Sequence, residues 1–104
     1  YSQPQADLEA AHRLADAGCF QEAAEICEAH LRQHRLSAQA YYLLGVMRDA
    51  TGNAGAIDCY RKAVYLDPNH HESLLQMARW SQKNGDEARA QAFSSRAQRA
   101  RMRV

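Results

Sequence analysis

Apolar residues recur along this chain at helical spacing from one end to the other. Tyr41, Leu44 and Gly45, and again Leu74, Met77 and Ala78, fall at i, i+3 and i+4, which is one face of a helix. Leu8, Ala11, His12 and Ala15 trace a weaker, mostly alanine version of the same face. A second kind of segment alternates with the first: Ala23, Ile26, Cys27 and His30; then Ala56, Cys59, Tyr60 and Ala63; then Ala90, Phe93 and Ala97. Six helices in three antiparallel pairs are predicted. Gly18, Gly52 and Gly85 suit the left-handed residue that ends a helix, and Asn53 and Asp86 directly after two of them suit the N-cap of the next. Ser37 is placed to cap a helix beginning near Ala38, and Asp67-Pro68-Asn69 separates the second pair from the third. Connections this short force neighbouring helices to run antiparallel.

The pattern repeats. Gly18, Gly52 and Gly85 stand 34 and 33 residues apart, Ala23, Ala56 and Ala90 stand 33 and 34 apart, and Leu44-Gly45 returns as Met77-Ala78 after 33. One domain of three units, about 4–37, 38–70 and 71–104, accounts for the whole chain. Gly45 and Ala78 let the two helices of a pair approach closely, Ala63 and Ala97 let a pair approach the next, and Leu44, Tyr60, Met77 and Phe93 fill the space between. Tyr41-Tyr42-Leu43-Leu44-Gly45, Ala56 through Ala63, and Leu66-Asp67-Pro68 resemble one nearly complete tetratricopeptide repeat, with the outer units degenerate but in register. The resemblance implies an all-α, right-handed solenoid of three helix-turn-helix units. Two departures stand out: Gly52 to Ala56 is one residue shorter than the usual turn, which should tighten that crossing, and His30 occupies a position where a small residue is normal.

Composition narrows the function classes. A chain of 104 residues has room for one core and little for a walled catalytic cleft. Twenty alanines against five glycines and two prolines favour helix. No apolar run approaches a membrane span and no leader opens the chain, so a cytoplasmic protein without membrane insertion is expected. The chain opens on Tyr1, as a segment of a longer polypeptide would. Cys19, Cys27 and Cys59 form no Cys-x-x-Cys pair and read as free thiols, mostly in the core.

Cys27, His30 and His34 share a helix face, but that face also carries Ala23 and Ile26, points to the core, and lacks a fourth ligand; no metal site is assigned. His70-His71 is read as a solvated helix start. No phosphate loop, nucleophile triad or carboxylate pair is present, so neither catalysis nor a cofactor is expected of this segment. Net charge is +1, yet the first unit holds six acids against three arginines and the last seven bases against three acids. Arg89, Arg96 and Arg103 recur every seven residues with Arg99 beside them. This basic stripe reads as a solvated face or as a contact for an acidic protein surface; without interleaved aromatics it does not favour nucleic acid. The concave side of the stack should present Leu8 and His12, then Gln39, Tyr42, Leu43 and Val46, then Glu72, Leu75, Gln76, Arg79 and Lys83. A groove centred on Tyr42, Val46 and Leu75 would suit an amphipathic helix or extended peptide, unless Tyr42 and Leu75 merely pack between first helices.

Ile26 through His34 running into Ala40 through Gly45, followed by Ala63-Val64-Tyr65-Leu66-Asp67-Pro68-Asn69, is similar to the C-terminal repeat tail of bacterial CheR-type methyltransferases, especially the Wsp biofilm-signalling branch. That resemblance implies a parent enzyme that moves methyl from S-adenosylmethionine to receptor glutamates with an upstream domain. The segment itself would recruit or regulate, by binding the receptor, a response regulator or its own catalytic domain. A free-standing adaptor or secretion chaperone of the same fold is the alternative. The residues at the places of a carboxylate-clamp motif, Leu8, His12, Leu43, Glu72 and Gln76, do not match that motif.

Overall fold

A computed structural model of the protein describes residues 4–102. It contains six helices: α1 (Pro4–Asp16), α2 (Phe20–Gln33), α3 (Ala38–Ala50), α4 (Ala56–Leu66), α5 (His71–Lys83) and α6 (Glu87–Met102), with no strand among the described residues. Helices pack as hairpins, α1 on α2, α3 on α4 and α5 on α6, and the hairpins stack through α2 on α3 and α4 on α5 into a body of 44 × 30 × 21 Å.

The first helix of each hairpin ends in the same way. Gly18, Gly52 and Gly85 adopt φ of +83°, +76° and +75°, and the amide of the following residue reaches back to the carbonyl five residues earlier: Cys19 to Leu14 at 2.8 Å, Asn53 to Arg48 at 2.7 Å, Asp86 to Ser81 at 2.9 Å. Ser37 Oγ accepts from the Ala40 amide at 3.2 Å and Asp86 Oδ1 from the Arg89 amide at 3.1 Å, so both act as N-caps.

Asn53 does not. Its Oδ1 accepts from the Gly55 amide at 2.8 Å in a local turn, and Gly55 occupies the cap position of α4. The helix therefore starts four residues after its glycine, whereas α2 and α6 start two after theirs, and it runs for 11 residues against 14 and 16. The one-residue deficit is absorbed by shortening α4 at its N-terminus.

A second correction concerns His70 and His71. His70 is 9% exposed and is itself the N-cap of α5: Nδ1 accepts from the Ser73 amide at 3.3 Å, leaving Nε2–H to donate to Gln39 Oε1 at 3.0 Å. His71 turns the other way, and its Nδ1 lies 2.9 Å from the Ala97 carbonyl. Neighbours on the chain diverge by about 100° around a helix, so one ring ties α5 to α3 and the other ties it to α6.

The small residues sit at the crossings. Ala23, Ala63 and Ala97 are fully buried, Ala56, Ala78 and Ala90 nearly so, and Leu44, Tyr60 and Met77 fill the space between them. Tyr41 is half-buried and Pro68 exposed. The first hairpin solves one crossing differently. Leu74 packs in one cluster with Ala97; counted back from Gly18 and Ala63, the matching places in the first hairpin are Asp7 and His30, so the register read at Leu8 moves by one residue. His30 is 5% exposed, and its Nδ1 stands 3.9 Å from Asp7 Oδ2, within ion-pair range but too long for a hydrogen bond.

Burial lowers the pKa of both His30 and His70; His34 adds to the effect on His30 and His71 to that on His70, while Asp7 opposes it at His30, and Glu72 and Asp67 oppose it at His70. The unfolded chain takes up these two protons near pH 6.5 and the folded chain only at lower pH. Stability should then be level above about pH 7 and decline as the pH falls through about 6.5. Urea midpoints at pH 7.5 and 5.0 measure this, and His70→Asn, which keeps a capping oxygen but no titrating ring, should lose less than the parent. Equal losses in the two proteins would remove His70 from the explanation.

Candidate protein-binding cleft

An open cleft of ≈ 660 Å³ is bounded by α1, the C-terminal end of α2 and the start of α3. Leu8 and Leu43 supply apolar walls, Glu9 and His12 project from α1, His30 and His34 come from the end of α2, and Ser37 and Gln39 from the approach to α3. Helix ends meet here because α2 must stop and reverse within four residues, which brings His34 beside the cap of α3.

The polar groups of the cleft are partly committed. His12 Nδ1 lies 3.2 Å from Asp16 Oδ2, the His30 and His34 rings are 4.7 Å apart between centroids, and the Ser37 hydroxyl oxygen and the Gln39 amide oxygen serve the cap and the His70 contact. His30 Nδ1 is buried without a hydrogen-bond partner. The surrounding unit carries the excess of acid. Apolar walls with a polar rim in an acidic setting are suited to hold an apolar side chain from a segment with basic flanks.

Reactive chemistry has little footing among the described residues. Burial pushes the Cys27 thiol up to about 11, with Glu28 and Cys59 adding to it, and burial raises Cys59 as well, against a 3.3 Å hydrogen bond from Arg48 Nη1 to its sulfur. Thiols shifted this way are poor nucleophiles at neutral pH. No group of three His, Cys, Asp or Glu side chains that could hold a metal ion occurs among the described residues.

Of the eleven concave-face residues named from sequence, Leu8, His12, Gln39 and Leu43 line this cleft. Tyr42 does not sit at the centre of an open groove. Its ring lies 5.3 Å from His70 and 6.2 Å from Tyr60, and burial together with Glu72 raises the pKa of its phenol, opposed by Gln76 and Arg79; it packs between α3 and α5. Val46 is half-buried under the same contacts, and Lys83 is exposed at the end of α5. Leu75 and Arg79 belong to a separate groove of ≈ 380 Å³ between α5 and α6, with Ala78, Gln82, Gln91 and Ser94 among its walls. The expected single groove is thus two concavities separated by the Tyr42 and Gln76 packing.

In the basic stripe, Arg89 pairs with Asp86 at 3.6 Å, Arg96 lies over the Phe93 ring with Cζ 5.7 Å from its centroid, and Arg99 is exposed; Arg103 lies outside the described residues. Glu9, His30, His34 and Ser37 were not named as cleft residues. The available signal was His30 at a position that holds alanine in the other units, with His34 one turn further along the same face.

No protein-family model matches the chain. It is 44% identical over 89 residues, 85% of its length, to a protein of Pseudomonas putida described as a probable biofilm formation methyltransferase WspC, and 40% identical over 97 residues to the WspC of Pseudomonas aeruginosa. The chain spans only 21% and 23% of those relatives. Among solved structures, the Yersinia enterocolitica type III secretion translocator chaperone SycD superposes with a TM-score of 0.82 at 19% identity, over 93% of this chain and 74% of that one. MamA superposes with a TM-score of 0.83 at 19% identity, over 97% of this chain and 60% of that one. No helix among the described residues is long and apolar enough to cross a membrane. The chain is a tetratricopeptide-type helical solenoid, similar in sequence to about a fifth of the length of the WspC biofilm methyltransferases.

Proposed function

We propose that this chain is the non-catalytic, C-terminal protein-binding segment of a cytoplasmic methyltransferase that modifies chemoreceptor glutamates with S-adenosylmethionine held in another domain. The observation that carries the reading is the extent of the likeness: close identity over nearly the whole of this chain and only a fifth of a methyltransferase. The cleft of Leu8, His12 and Leu43 supplies a surface for the partner, and no cofactor is assigned to the segment. Receptor, response regulator and the enzyme's own catalytic domain are the partners that fit this role, and the receptor is the one to test first.

Removing the segment from the parent enzyme should raise KM for receptor several-fold and leave kcat unchanged, because only binding common to ground and transition state is lost. Leu8→Gln in the intact enzyme should reproduce part of that increase, and the isolated segment should transfer no methyl group. An unaltered KM in both variants would sink the recruitment role.

One observation favours a second reading. SycD, solved in complex with a peptide of the translocator YopD, superposes with a TM-score of 0.81 at 20% identity over 92% of this chain and 74% of that one. A free-standing adaptor or chaperone that holds a peptide in the same cleft is the alternative, and sequence upstream of Tyr1 without a methyltransferase domain would favour it.

A further inference from the structure

Between α4, α5 and α6 lies a narrow cavity of ≈ 40 Å³ that shares no residue with the cleft. Ser81 forms part of its wall; the residue is 1% exposed, and its hydroxyl has no hydrogen-bond partner. Two guanidinium-bearing side chains flank it, Arg61 from α4 and Arg89 from α6. Arg61 lies over the Trp80 ring, Cζ 5.6 Å from the centroid, and Trp80 and Phe93 complete the apolar walls. Besides that ring contact, the ion pairs of the two arginines among the described residues are local ones with carboxylates three residues before them, Arg61 to Asp58 at 3.3 Å and Arg89 to Asp86 at 3.6 Å, and pairs of that kind exchange readily for a better partner. Arg96, over the Phe93 ring, and Arg99 continue the positive strip along α6.

The volume admits a water or a single oxygen of an oxyanion, not a side chain. Its unused donor is a hydroxyl, its rim is doubly cationic, and the unit around it carries the excess of base. We propose that this cavity is an oxyanion seat for a carboxylate of an acidic segment in a partner protein. One carboxylate oxygen accepts from Ser81 Oγ–H, Arg61 and Arg89 hold the charge, and neighbouring acids of the segment meet Arg96 and Arg99. Charge-assisted hydrogen bonds of this kind are the strong ones, and guanidinium groups match a planar carboxylate. The inference rests on the reading of the domain as a protein-binding module but uses a different surface.

Trp80 is the single tryptophan of the chain, so its emission reports on the seat. Titration of the domain with a blocked hexaglutamate peptide should change that emission saturably, and a hexaglutamine peptide should not. Ser81→Ala, which removes an unpartnered hydroxyl and keeps the helix, should leave the thermal midpoint unlowered and weaken the glutamate peptide about tenfold, the range for a hydrogen bond to a charged group. Arg61→Gln with Arg89→Gln should weaken it at least as much, while Arg13→Gln with Arg32→Gln, the same loss of charge on α1 and α2, should have little effect. Wild-type affinity in Ser81→Ala would overturn the proposal, as would equal weakening by the α1 and α2 pair, or inorganic phosphate saturating the response more tightly than the peptide. Failure here with the receptor KM effect intact removes the seat and not the recruitment role.

Discussion

Gly45→Leu should lower the thermal midpoint of the domain by roughly 12–24 °C, equivalent to about 3 kcal/mol in a domain of this size. The reason is visible at a single atom. A Cβ built on Gly45 falls 2.6 Å from Tyr60 Cε1, 2.9 Å from Tyr60 Cδ1 and 3.1 Å from Cys59 Cβ. Tyr60 has nowhere to go: it is buried against Ala56, Ile57 and Met77, packs on Tyr42, and its hydroxyl donates to Asp49 Oδ2 at 3.3 Å. Relief requires α3 and α4 to separate. Gly45→Ala is the sharper test, because it gains about 1 kcal/mol of helix propensity and adds only the offending carbon. It too should melt below the parent; a rise in its circular-dichroism midpoint would mean the crossing is looser than described.

Leu74→Ala should be as damaging, by about 2–5 kcal/mol. Leu74 is completely buried, and its cluster is formed with Ala97 and Ala100 against Val64 and Phe93. Two of those neighbours are alanines on α6, already at their minimum size, so little can flow into the void. The junction of α5 with α6 should loosen first, which hydrogen exchange would register as faster exchange in α6 than in α2. Uniform acceleration across all six helices would indicate a stack that opens only as a whole.

The helices, their pairing and most of their ends were legible because they depend on local chemistry: glycine in the left-handed region, a hydroxyl or carboxylate at the cap, small residues at crossings. The start of α4 was not, because Asn53 has the right chemistry for a cap and only the missing residue moves the helix away from it. His70 misled in a related way. A histidine beside proline and asparagine looks solvated, and only the position of Gln39 on another helix, 31 residues earlier, makes it a buried cap. Half of the cleft followed from the periodicity of α1 and α3. Of the other half, Glu9 lies on α1 and Ser37 caps α3, while His30 and His34 come from the C-terminal end of α2, where they match the pattern of a core face and show nothing of the space beside them. Tyr42 was placed on the correct face, but which partner captures its ring depends on His70 and Gln76 in the next unit.

The groove between α5 and α6 also bears on how long such a stack can be. Its walls Leu75, Arg79, Gln91 and Ser94 occupy the repeat positions at which the preceding hairpin has Tyr42, Val46, Ile57 and Tyr60, the side chains on which the next hairpin settles. Three of the four have exchanged hydrocarbon or ring for amide, hydroxyl or guanidinium. A further unit of the same pattern would find the correct contour and the wrong chemistry on this face. Extension in this architecture is therefore governed by a few side chains within one unit: substitutions at Arg79, Gln91 and Ser94 would restore the surface on which another hairpin settles.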